Sequence, residues 1–178
     1  MKTKFLFLSL IALGLFFSCK DRDQDNVVLP EVTQSGKNTA GALVDGKVWV
    51  ATTDYINPPD GTFCEKFGNF YDIRLDFRKV ANRSINRIYI KAQIENLELN
   101  KIYELNQNPD LNFNYASHTN NEGISYSTQP TSNYIGKLKI IRIDLQNQIV
   151  SGTFEFKAID NNGNVVNITD GRFDKKFD

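Results

Sequence analysis

Two thiols, one imidazole and a scatter of carboxylates are the groups in this 178-residue chain from which chemistry could be built: Cys19, Cys64, His118 and the aspartates and glutamates. A thiol becomes a nucleophile when a neighbouring base draws its proton. No histidine stands beside Cys64, so such a pair would require the fold to bring His118 to it. The expectation for Cys64 is a buried, inert thiol; an intermolecular bond and a reactive thiol are the alternatives. A disulfide between Cys19 and Cys64 is allowed by arithmetic alone. One imidazole cannot supply a multi-histidine zinc site. Asp160-Asn161-Asn162-Gly163-Asn164 has some oxygen donors of a calcium loop but lacks its distal bidentate Glu, and reads as a turn. Asp170 and Asp174 flank Gly171-Arg172 near the end of the chain. Glycoside cleavage needs a carboxylate pair, but nothing in their spacing singles these two out. There is no Gly-rich phosphate loop, no Cys-x-x-Cys and no His-Glu-x-x-His. No catalytic residue, metal ligand or cofactor site is assigned.

Cys19 has a different setting. Lys2 and Lys4 make a positive start, Phe5 to Phe17 is apolar apart from Ser9 and Gly14, and Ser18-Cys19 closes the run. The run falls short of the roughly 20 residues that a spanning helix needs and has the layout of a secretion signal. A small residue followed by Cys at the end of such a leader resembles a bacterial lipoprotein signal, with Phe16 where Leu is usual. The resemblance implies that residues 1–18 are removed and that Cys19 is the lipid attachment residue. Acyl chains contribute about 0.8 kcal/mol per buried CH₂, so two or more anchor a chain stably. Lys20-Asp21-Arg22-Asp23-Gln24-Asp25 resembles the surface-export signal of lipoproteins in the Bacteroidota; by composition it is a solvated tether. The expected location is the cell envelope, lipid-anchored to the outer membrane, on its periplasmic face or at the cell surface.

Basic and acidic side chains both number 21, so no nucleic-acid partner is expected. Asn26 to Thr39 is polar, with Pro30 and Gly36, and reads as linker ending in an edge contact. The chain thus divides into a leader (1–18), a tether (19–39) and one domain (40–178), which is long enough for a real core.

The domain reads as strands throughout. Asp45-Gly46 between two apolar runs predicts a two-residue hairpin turn with Leu43 opposite Val48 and Ala42 opposite Trp49, Trp49 being a packing anchor. Asn57 to Gly68, which contains Cys64, reads as a loop. Tyr71 to Arg78 alternates without error, placing Tyr71, Ile73, Leu75 and Phe77 inward and Asp72, Arg74, Asp76 and Arg78 in water. Ile88, Ile90, Ala92 and Ile94 repeat the pattern. Asn106 to Asn133 is rich in Asn, Ser and Thr, with tyrosines spaced through it and short strands expected at Leu111 to Ala116 and Ile124 to Thr128. Amides beside tyrosines can stack on and hydrogen-bond a sugar, or serve as ordinary hairpin loops. Gly136 to Asp174 predicts a three-stranded meander, with Val150, Phe154, Phe156 and Ala158 of its middle strand inward. In the first of these strands the apolar parity flips between Ile140 and Ile141, as a β-bulge, or a strand buried on both faces near its start, would allow.

The Cys19 leader, the G-x-x-x-x-G-x-x-W arrangement from Gly41 to Trp49, the run Ile149 to Phe156 and the closing Ile168-Thr169-Asp170-Gly171-Arg172-Phe173-Asp174 together resemble a family of small predicted lipoproteins of the Bacteroidota with no assigned activity. The resemblance implies a membrane-tethered all-β domain. The expected fold is a single antiparallel meander domain, an up-and-down, lipocalin-like barrel or a two-layer β-sandwich. The expected function is a non-enzymatic binding or accessory module that meets the membrane through its lipid and takes a small apolar ligand, a glycan or an envelope protein. The alternative is a surface hydrolase acting on glycan or peptide.

Overall fold

The computed structural model describes residues 27–52, 61–81, 84–107, 113–131 and 133–177. The leader and Cys19 lie outside the described residues. Those described contain no helix and form eleven strands: β1 (Thr39–Val44), β2 (Lys47–Val50), β3 (Phe63–Phe67), β4 (Phe70–Ala81), β5 (Ser84–Glu95), β6 (Ile102–Leu105), β7 (Tyr115–Thr119), β8 (Ser125–Ser127), β9 (Gly136–Asp144), β10 (Ile149–Ile159) and β11 (Val165–Lys176). All belong to one antiparallel sheet in the order β2-β1-β11-β10-β8-β7-β5-β4-β3, with β9 paired to β10 and β6 to β9 as a side branch. The expected all-β meander is therefore what the chain forms, and its single sheet curls into a half-barrel.

Two contacts curl it. The first strand pairs with the last, β1 with β11. Just past β2, the Thr52 amide donates to the Arg78 carbonyl of β4 at 2.9 Å, and Thr52 Oγ1 accepts from the Val80 amide at 3.0 Å. The two limbs of the sheet thus meet over a shared interior. There Phe77 of β4 stacks on Phe154 of β10 and tilts against Phe173 of β11, each with ring centroids 5.7 Å apart. Ile73, Leu75, Ile88, Ile90, Leu138 and Ile168 are fully buried around them. Burial of such side chains is the main stabilising term, about 1.5–3 kcal/mol each.

Much of the register follows the sequence pattern. Leu43 lies opposite Val48 and Ala42 opposite Trp49. Asp45 and Gly46 both take positive φ, 48° and 78°, as the hairpin turn requires. Trp49 is only 4% exposed and packs into the core. In the β9–β10 pair the register slips at Ile141, between Ile140↔Gly152 and Arg142↔Ser151. That is the expected bulge, and it keeps Leu138 and Ile140 inward. The bulge also brings backbone close to Gly152, where a Cβ would meet the Lys139 carbonyl oxygen and the Phe173 ring. Only glycine fits there.

Three readings change. Phe63 to Phe67, within the expected loop, is strand β3, and Cys64 sits in it opposite Ile73; the first part of that loop, 57–60, lies outside the described residues. Asp72 and Asp76 do not face open water. Arg74 covers Asp72, and Arg78 with Arg87 from the next strand covers Asp76, so that both carboxylates are buried. The third change is one of extent, at Thr33 to Asn38, where the polar stretch reads as linker ending in an edge contact. These residues lie along β11 and β10 as a strap, clasped by Asp174. The Asp174 carboxylate is 1% exposed and accepts from Thr33 Oγ1 (2.6 Å), Ser151 Oγ (2.8 Å) and the amides of Ser35 (2.9 Å), Gly36 (2.8 Å) and Lys37 (3.2 Å). Arg142 Nη1 donates to the Gln34 carbonyl, and Asn38 Oδ1 accepts from the Lys176 amide at 2.8 Å.

Candidate functional site

Where β5, β7 and β8 run side by side, alternate residues point away from the core. Arg87 pairs with Thr119 and Tyr89 with Ser117 across β5–β7. Ser117 pairs with Ser127 and Thr119 with Ser125 across β7–β8. The result is a row of hydroxyls flanked by Tyr89 and Tyr115, bounding a hollow of about 670 Å³ that Gln129 and Asn161 complete; the Tyr126 ring turns the other way, against inward-facing His118. Its volume lies within the range of small-ligand sites, roughly 300–1,000 Å³.

The local sequence sets this arrangement. Asn120 Oδ1 accepts from the amides of Glu122 (2.9 Å) and Ile124 (3.0 Å), and Gly123 takes φ 81°. That tight turn folds β8 back on β7. The end of β8 is pinned by Thr128, fully buried, whose hydroxyl donates to the Gln107 carbonyl at 2.9 Å and accepts from the Ala116 amide at 3.1 Å. β8 falls where the sequence predicts a strand. β7 begins at Tyr115, and the earlier part of its expected span, Leu111-Asn112, lies outside the described residues.

The aromatic side is held from below. Asp76, 5% exposed, accepts from Arg87 Nε at 2.6 Å and Nη2 at 3.0 Å, and also from Arg78. An ion pair whose guanidinium stays partly exposed adds little net stability, but a bidentate one fixes that guanidinium in place. So fixed, Arg87 lies 4.7 Å from the centre of the Tyr89 ring. Tyr89 and Tyr115 are 5.8 Å apart and tilted by 43°. Burial, then the neighbouring Tyr89 hydroxyl, push the Tyr115 phenol up to about 12, so it is protonated and able to donate at neutral pH. Thr119 and Ser125 share a hydrogen bond at 3.1 Å, and Gln129 Nε2 donates to Ser127 Oγ at 3.2 Å. The arrangement offers ring faces and a bank of neutral donors and acceptors. It can bind and orient a polar ligand; it holds no activated nucleophile.

The residues weighed for chemistry in the sequence do not converge. Cys64 is on β3 and His118 on β7, with β4 and β5 between them. Burial, then the Asp72 charge, push the Cys64 thiol up to about 12, so it is not a thiolate at neutral pH. His118 points inward, is 2% exposed, and burial lowers its pKa below the ordinary imidazole value. Asp170 is exposed in a β11 bulge beside Arg172, while both Asp174 oxygens are engaged by the strap. Asp160 caps its own turn, accepting from the amides of Asn162 (2.9 Å) and Asn164 (2.8 Å) and from Asn164 Nδ2 (2.8 Å). Among the described residues no group of three or more His, Cys, Asp or Glu side chains could hold a metal ion.

Sequence reasoning pointed at the tyrosines and amides of the 106–133 region but missed Arg87 and Tyr89. Their outward parity in β5 was visible. Their place beside β7 was not, because it depends on which strands pair. The model of a domain of unknown function (DUF6252) matches residues 80–175, a span that includes every residue named as lining the hollow. No curated protein and no solved structure matches the chain.

Proposed function

The chain belongs to the DUF6252 family, and from that premise we propose that it is a lipid-anchored, non-enzymatic binding module of the cell envelope that takes a saccharide on the face of β5, β7 and β8. The anchoring half of this reading is supported by the leader, by Ser18-Cys19 and by the acidic tether, which resemble those of Bacteroidota lipoproteins. The saccharide half is carried by one observation: Tyr89 and Tyr115 stand beside a row of serine and threonine hydroxyls at a single hollow. A sugar ring presents C–H faces that pack on aromatic rings and hydroxyls that must be hydrogen-bonded when desolvated. The hollow supplies both. An apolar ligand is less well matched, since the Phe77, Phe154 and Phe173 rings pack on one another inside the sheet. The hydrolase alternative needs two groups converging in a cleft, and neither Cys64 with His118 nor Asp170 with Asp174 does so.

Calorimetric titration of the full chain against neutral and acidic oligosaccharides tests the ligand. At 100 times its dissociation constant a true ligand adds about 2.7 kcal/mol of stability. Tyr115→Ala is expected to weaken binding by up to about tenfold, the loss of a packed aromatic contact, while the melting temperature stays near wild type. A panel in which no oligosaccharide binds would end the saccharide reading. Metabolic labelling with a fatty acid tests the anchor: the wild type should take up label, and Cys19→Ala should not. Label retained by Cys19→Ala would show that residue 19 is not the attachment point.

A further inference from the structure

We propose that the hollow selects saccharides carrying a carboxylate or sulfate, with Arg87 as the residue that sets the preference. The inference rests on the saccharide reading above and names the ligand class. The chain as a whole is electrically balanced, +0 at pH 7, yet the site is not. Among the described residues, the one charged side chain lining the hollow is Arg87, and a second hollow adjoining it across Arg87 and Thr119 adds Arg78. No carboxylate lines either. The nearest acid in the network, Asp76, lies beneath the guanidinium and scarcely reaches solvent.

Arg87 is also prepared for the task. Its Nε and Nη2 are committed to Asp76, and its plane lies over Tyr89. Nη1 has no protein partner among the described residues. A guanidinium already held loses little freedom when an anion arrives, and its planar fork suits carboxylate and sulfate oxygens alike. The Thr119 and Ser117 hydroxyls stand in the register positions opposite Arg87 and Tyr89 and can donate to the same anion. A neutral sugar would use the rings and hydroxyls only.

The test compares three probes on the full chain: an oligogalacturonate, the same oligomer with its carboxylates methyl-esterified, and a sulfated oligosaccharide. The ester keeps ring and length and removes the charge. The acid form should bind about tenfold or more tightly than the ester at low salt, and the advantage should shrink as salt rises past about 0.5 M, where screening is short-ranged. Arg87→Gln should abolish the advantage, so that acid and ester bind it equally, whatever the change in overall affinity. Because Arg87 also steadies Asp76, Thr119→Glu is a second variant; it sets a carboxylate opposite Arg87 without disturbing Asp76 and should abolish the advantage too. The sulfated probe decides whether sulfate shares the carboxylate's place. Equal binding of acid and ester, or an advantage that survives both variants, overturns the inference and leaves saccharide binding standing. Failure of all three probes to bind sinks the underlying reading, and this inference with it.

Discussion

Asp174→Ala is expected to lower the stability of the fold by about 3 kcal/mol, read as a lower urea midpoint, and to free the strap at Thr33 to Asn38. Five donors converge on that carboxylate. Hydrogen bonds to a charged acceptor are each worth about 1.5–3 kcal/mol. Their sum overstates the loss, since a released strap regains water and conformational entropy. Amide exchange at Ser35, Gly36 and Lys37 should rise toward that of an unstructured segment, while exchange in β4 and β5 changes only as far as global stability does. Asp174→Asn should fall between, because its amide retains one acceptor but turns a donor toward donors.

The same carboxylate makes the strap acid-sensitive. Burial pushes the Asp174 carboxyl up, but the hydrogen bonds from Thr33, Ser151, Gly36 and Lys37 outweigh burial and hold it down at about 2. In the unfolded chain an aspartate titrates near 3.9. A folded-state pKa below the unfolded one means that the stabilisation is complete above about pH 5 and is lost as pH falls toward 2. The amount at stake is about 2–3 kcal/mol. In Asp174→Ala this part of the acid dependence should vanish. A mutant whose midpoint follows pH as the wild type does would show that the strap is held by something else.

Phe77→Ala is expected to cost more, about 3–5 kcal/mol, the range for emptying a fully buried aromatic site. Phe77 is 0% exposed and touches rings from the other limb of the sheet, Phe154 and Phe173. Its removal therefore leaves a cavity where the curled sheet meets itself. The Thr52–Arg78 contact beside it should open more readily, seen as faster exchange of the Thr52 amide. Phe77→Leu, which keeps most of the volume, should recover more than half of the loss. If the alanine variant melts within a few degrees of wild type, the two limbs are not held together through this residue.

The strands and several of their registers could be read directly from residue order. A strand's facing repeats every two residues, so Tyr71 to Phe77, Ile88 to Ile94 and Val150 to Ala158 declare their inner rows locally. Asp45-Gly46 fixes a hairpin because the two backbone conformations its turn demands are cheap for those residues. Ile140-Ile141 announces a break in facing, because two apolar neighbours cannot both face inward on a regular strand, and the slip in pairing with β10 makes it a bulge. All of these are interactions between near neighbours in the chain.

What was hidden depends on partners far away in sequence. β3 is five residues long and follows dense turn chemistry, so nothing in Phe63 to Phe67 shows that β4 will pair with it. Asp72 and Asp76 alternate outward as expected, and Arg74 and Arg78 of the same strand cover them in part, but the burial of Asp76 also requires knowing that β5 lays Arg87 over β4. The strap looks like linker because its backbone amides reveal nothing of a carboxylate lying at position 174. The binding face follows the same rule. Its hydroxyls belong to β7 and β8 and its guanidinium to β5, and no periodicity in one strand records which strand will lie beside it. Alternation is written into each segment by steric geometry; adjacency arises only when the sheet curls and long-range contacts choose among the pairings that alternation leaves open.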